Sequence, residues 1–194
     1  MLSDAMWRPS GSPHGSGTLA FVVWVPLTPR GEGKFAFAEM AAPSDLLSAL
    51  MSMRAQKTFI IPLEQLALQG AYVCEELSAN LRDRLVIHCA DNKAANAGAI
   101  KGFSGSRDLA AIVRATRWAW RELNVDPWVE YVASGAHLSD DPSRGVVAWL
   151  LAQGACRVPG VIPGSALVMS CLDDVWRFCG GPKFCEFRRL PSGR

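Results

Sequence analysis

The sequence predicts an α/β fold: a mixed sheet that starts with an antiparallel three-stranded meander and carries helices on both faces. Three observations predict it. Three apolar, strand-like runs separated by turn residues stand at the start, and strand and helix patterns alternate after them. The chain has 194 residues, 49% of them hydrophobic, which is enough for one ordinary domain with a substantial core.

The first run, MLSDAMW, is apolar but interrupted by Asp4, and a Gly/Ser/Pro turn separates it from the strong strand candidate GTLAFVVWVP. A turn with Gly31 and Gly33 leads to KFAFAEM, where Phe35, Phe37 and Glu39 occupy alternating positions of a third strand. Two hairpin links make these three strands antiparallel. Residues 43–55 read as a helix with Ser44 as its N-cap. In IIPLEQLALQGAYVCEELSANL, Pro62 falls near the first helical turn, where its missing N–H costs little. Leu63, Leu66, Ala67 and Ala71 form a face of 3.6-residue period there, and Glu64 is expected in the first turn.

The apolar run Leu85-Val86-Ile87 then leads through Cys89 to Asp91, and Asn92 with the following alanines opens a short helix ending near Gly102. An FSGSRD loop, a long helix through DLAAIVRATRWAWREL and a strand beginning at Pro127 follow. SDDPSRGVVAWLLAQG is expected to close the region as one helix with Pro142 and Ser143 at its start. The expected domain covers residues 1–155, with a C-terminal extension over 156–194 where the signals thin.

Seven Trp and the hydrophobic content exclude a disordered chain, and no apolar stretch approaches the roughly 20 residues needed to span a bilayer. No membrane partner is expected. The N-terminus lacks the basic-then-apolar order of a secretory signal, so an intracellular location, cytoplasmic or nuclear, is expected. The six cysteines contain no CxxC, and free thiols are favoured over a disulfide framework. A formal net charge of +2 is far from the basic excess of an autonomous nucleic-acid binder. Arg107, Arg114, Arg117 and Arg121 nevertheless share one predicted helix, as a solvated face or a contact surface. Of Trp118 and Trp120 beside them, at least one should point into the core.

Together, RLVIHCADNKAANAGAIKG, the downstream VEYVASGAHLSDDPSRG and the upstream PLEQLAL resemble the ribonuclease H domain of retroelement reverse transcriptases, of DIRS or gypsy type. Such domains carry a DN-x-A-A step after their fourth strand, a Glu in their first long helix and a closing N-x-A-D-x-x-S-R motif. Here the closing motif reads HLSDDPSR, with His137 in place of the Asn, and residues 43–55 stand as an insertion. The resemblance covers roughly residues 1–150 and lies in the order of the motifs. It implies a ribonuclease H-like fold, a catalytic and metal-binding set of Asp4, Glu64, Asp91 and Asp140, and substrate contacts from Asn92, His137, Ser143 and Arg144.

Carboxylates converging from strand and helix ends suit hard cations, so the expected cofactor is a pair of Mg²⁺ or Mn²⁺ ions. Each residue also has a plainer reading. A Glu in a first helical turn is favoured by the helix dipole, a loop His is solvated, and His88 within a strand is a packed core residue. Aligning the closing motif puts Asp140 on its acid and makes Asp141 a cap or first-turn residue.

The expected function is metal-dependent cleavage of the RNA strand of an RNA–DNA hybrid, with an upstream reverse transcriptase polymerase domain as partner in a polyprotein. The near-terminal start of the first strand fits excision from a longer chain. Two alternatives stay open: a degenerate domain that binds nucleic acid or a polymerase without cutting, and a DNA nuclease of the same superfamily.

Overall fold

A computed structural model describes residues 1–8, 16–27, 32–43, 46–48 and 60–160. Its strands are β1 (Leu2–Arg8), β2 (Ser16–Pro26), β3 (Gly33–Ala41), β4 (Leu85–Ala90), β5 (Asp126–Tyr131) and the short β6 (Cys156–Arg157). Its helices are α1 (Ile60–Val73), α2 (Glu75–Ser78), α3 (Lys93–Lys101), α4 (Arg107–Glu122), α5 (Asp140–Ser143) and α6 (Ala148–Ala152). The strands form one sheet in the order β5-β4-β1-β2-β3-β6. β1, β2 and β3 pair antiparallel, while β4 lies parallel to both β1 and β5. This is the mixed α/β sheet with an antiparallel three-stranded opening meander expected from the sequence.

Period-two alternation along the meander builds two cores. Leu19, Phe21, Val23 and Val25 of β2, with Ala36 and Ala38 of β3, face α1 and α4. Val22 and Phe37, directly opposite one another, point to the other side, where Leu150 and Ala155 cover them. Helices therefore stand on both faces, as expected.

α1 is buried at every position from Pro62 to Tyr72, because it lies between the sheet and α4. The helix begins at Ile60, which puts Glu64 past the first turn and away from the free N–H groups that attract an acid. That corrects the first-turn placement. Downstream, Asn92 caps α3 by accepting from the N–H groups of Ala94 (3.0 Å) and Ala95 (3.1 Å), and Gly102 ends it at φ +76°.

The single closing helix expected over SDDPSRGVVAWLLAQG is two. Gly145, at φ +81°, takes the chain out of helical geometry between α5 and α6, a left-handed conformation that glycine adopts without a Cβ clash. The sheet also continues past residue 155: β6 pairs parallel with β3, and the Val158 N–H donates to the Phe37 carbonyl at 2.9 Å. Within the expected helix at 43–55, residues 46–48 are helical; most of the rest, and residues 161–194, lie outside the described residues. Among the described residues, Cys74, Cys89 and Cys156 are free thiols, and no helix is long and apolar enough to cross a membrane.

Candidate active site

Strand register brings the first two acids together. Leu2 of β1 pairs in parallel with Cys89 of β4, so Asp4 and Asp91, each two residues further on, stand at the same level. Asp91 is the first residue beyond β4, where the chain leaves the sheet for α3. Helix α1 packs over β1 and β2 and supplies Glu64. One oxygen from each of Asp4, Glu64 and Asp91 lies within 4.8 Å of the others.

Burial dominates the electrostatics. Asp4 is pushed up to about 6, chiefly by loss of water, with the charges of Asp91 and Asp140 adding and hydrogen bonds from Ser143 and the Ala5 backbone opposing. Glu64 is pushed up to about 9, again mainly by burial and then by the charges of Asp4 and Asp91. One of its carboxylate oxygens, Oε2, is buried without a hydrogen-bond partner among the described residues. Crowded, desolvated carboxylates with an unmatched oxygen are short of positive charge. Three hard oxygen donors fit Mg²⁺ or Mn²⁺ and suit softer, thiolate-preferring metals poorly.

Asp140, the fourth expected acid, stands outside that tight set. Its charge is felt by both Asp4 and Glu64, but its Oδ1 is bound by Arg144 Nη2 at 2.7 Å. Asp140 opens α5 and Arg144 caps its end, four residues on, which explains why the motif acid and the motif arginine meet. Asp141 is exposed in the same first turn.

The expected substrate residues are placed as follows. The side-chain oxygen of Asn92 is engaged in capping α3. Ser143 is buried, donates to the Asp140 carbonyl at 2.8 Å and hydrogen-bonds Asp4. Arg144 is exposed beyond Asp140. His137 is not solvated, contrary to the plain expectation for a loop His: it is 5% exposed. Its Nε2 lies 3.2 Å from the Cys89 carbonyl, which only accepts, so Nε2 carries the proton and Nδ1 accepts from Ser139 Oγ at 2.9 Å. Burial holds His137 below the ordinary imidazole range, consistent with that neutral form. His88 is a core residue, as expected, fully buried between Ser3 (2.7 Å) and Tyr72 (3.2 Å).

Two supporting residues had no signal in the sequence. Ser134, in the turn after β5, donates to Asp91 Oδ2 at 2.5 Å. Asn96 of α3 donates to the Ala90 carbonyl at 3.0 Å and the Glu130 carbonyl at 3.3 Å, tying together the ends of β4 and β5 beside Asp91. Spacing alone does not single out a Ser within Ala-Ser-Gly-Ala or an Asn within an Ala-rich helix.

No known family model and no curated protein matches this sequence. Among solved structures, the chain is similar to RNase H1 from the halophilic archaeon Halobacterium salinarum NRC-1, at 15% identity and a TM-score of 0.40, over 75% of this chain and 90% of that one.

Proposed function

We propose that the chain is a metal-dependent endonuclease of ribonuclease H type that cleaves the RNA strand of RNA–DNA hybrids and works beside a reverse transcriptase polymerase domain of the same polyprotein. The observation that carries this reading is the meeting of Asp4 within β1, Glu64 of α1 and Asp91 just beyond β4, far apart in sequence, within 4.8 Å. The motif order around Asp91 and HLSDDPSR supports the retroelement assignment.

In this reading Asp4, Glu64 and Asp91 hold two Mg²⁺ or Mn²⁺ ions, and Asp140 completes the set once it is freed from Arg144. Bound there, the ions supply a water made nucleophilic at neutral pH and stabilise the charge that grows on the leaving oxygen. Ser134 fixes the orientation of Asp91, and Ser143 that of Asp4. His137, neutral and bound to the Cys89 carbonyl, holds the loop before α5 against β4 and thereby sets where Asp140 stands. Selectivity for hybrid rests on 2′-hydroxyl contacts across the wide minor groove of an A-like duplex.

One observation favours a second reading. The Asp140–Arg144 ion pair withholds the fourth acid, as it would in a domain that binds hybrid without cutting. Hydrolysis of labelled RNA–DNA hybrid, double-stranded RNA and double-stranded DNA with Mg²⁺ or Mn²⁺ separates the readings. Cleavage confined to the RNA strand of the hybrid supports the first, binding without cleavage the second, and cleavage of DNA overturns both.

A further inference from the structure

Beside the acidic cluster, an open groove runs between the ends of β1, β2 and β3, the edge strand β6 and the end of α5. Its polar lining is Arg8, Thr18, Glu39, Ser143, Arg144 and Arg157. Three arginines therefore line one concavity: Arg8 at the end of β1, Arg144 just after α5 and Arg157 of β6. The groove adjoins the acids directly: Ser143 in its wall hydrogen-bonds Asp4, and Arg144 is the partner of Asp140.

We propose that this groove binds the sugar–phosphate backbone of the cut strand beside the scissile bond, with Arg8 and Arg157 as phosphate contacts. The inference rests on the nuclease reading above and adds its substrate track. Guanidinium forks present paired N–H donors that match phosphate oxygens. The side chains of Arg144 and Arg157 are 56% and 53% exposed, so part of each fork is open to a ligand while the rest is steered by Asp140 and Glu39. Arg8 is exposed and forms no ion pair with a described residue. Ion pairs this exposed add little to stability, so fold stabilisation is a poor account of why three arginines gather at the mouth of an acidic site. The parallel pairing of β6 with β3 is what brings Arg157 here: the register sets it opposite Phe37, and its guanidinium reaches Glu39 on the same strand.

The test is fluorescence anisotropy of a short labelled RNA–DNA hybrid, in chelator so that no cleavage occurs, across a salt series. Replacing Arg8 and Arg157 together by Ala should weaken binding about tenfold at moderate salt and make the log–log salt slope shallower by about two. Glu39→Gln should tighten binding, because it releases Arg157, an outcome that a merely structural ion pair would not give. Should the double variant lose its folded melting transition, Arg8→Glu at the exposed end of β1 reads the same effect alone. A folded double variant that binds hybrid as the wild type does, with an unchanged slope, overturns the groove assignment and leaves the nuclease reading standing. A wild-type protein that binds no hybrid overturns both.

Discussion

Helices α1 and α4 pack side by side over the same face of the sheet, and they are built on opposite rules. α4 is a surface helix: Ala111, Ile112, Ala115, Ala119 and Trp120 face inward, while Arg114, Arg117, Trp118 and Arg121 face water. α1 is enclosed, and yet three of its buried side chains are Glu64, Gln65 and Gln69. The two glutamines have no side-chain hydrogen-bond partner among the described residues, and neither does Glu64 Oε2. Burying such groups unmatched costs on the order of 1–3 kcal/mol each, and α1 carries more of them than α4, where Trp120 Nε1 and Asp108 Oδ2 are the buried atoms without a hydrogen-bond partner among the described residues. Both helices build the core, and α1 alone also carries a carboxylate of the acidic cluster.

The sharpest way to break that contrast is to neutralise the acids. Asp91→Asn and Glu64→Gln should each leave less than about a tenth of the wild-type rate of hybrid cleavage with folding preserved, since metal-assisted stabilisation supplies several kcal/mol. Asp140→Asn should also cut the rate by orders of magnitude. Single-turnover cleavage with circular dichroism as the folding control reads all three, and a rate near wild type for Asp91→Asn removes Asp91 from the site.

In α4 the same size of change should appear in stability instead. Trp120, 4% exposed and edge-on to Tyr72 at 5.7 Å, should cost about 3–5 kcal/mol on replacement by Ala. Trp118, 53% exposed on the same helix, should cost less than about 0.5 kcal/mol. Denaturant midpoints check both, and equal losses would mean that the helix is rotated from the position described.

The pH dependence of stability sharpens the comparison from the other side. Glu64 and Asp4 have folded-state values near 9 and 6, above their unfolded ones, so the folded state holds their protons more tightly. Their contribution is fully present below about pH 4 and is lost as pH rises through 6 and then 9. The metal-free melting temperature should therefore fall across that window, and Glu64→Gln should flatten its upper part. Asp141→Asn, an exposed first-turn change, should cost from a fraction of a kcal/mol to about 2 kcal/mol and leave cleavage intact.

Most of this architecture is legible in local sequence. Alternation gave the meander, Asn92 and Gly102 bracket α3 by their own capping chemistry, and Asp91 follows an apolar strand with little structural excuse. Less legible were features set by contacts distant in sequence. Glu64 reads as a favourable first-turn acid until the helix start at Ile60 is known. His137 reads as solvated until the Cys89 carbonyl is found beside it, and β6 is too short to carry a periodic signal. The Asp140–Arg144 pair was readable from its four-residue spacing, but not its competition with the acid cluster.

Whether Asp4, Glu64 and Asp91 form a divalent-cation site is tested without any substrate by thermal denaturation at pH 8 with increasing Mg²⁺ or Mn²⁺. Bound ions should raise the melting temperature of the wild-type protein in a saturable way, because ligand that binds only the folded state stabilises it by mass action. Asp91→Asn should lose most of that rise, whereas Asp141→Asn should keep it. A melting temperature indifferent to either cation, or an Asp91→Asn protein stabilised as fully as the wild type, would contradict the assignment.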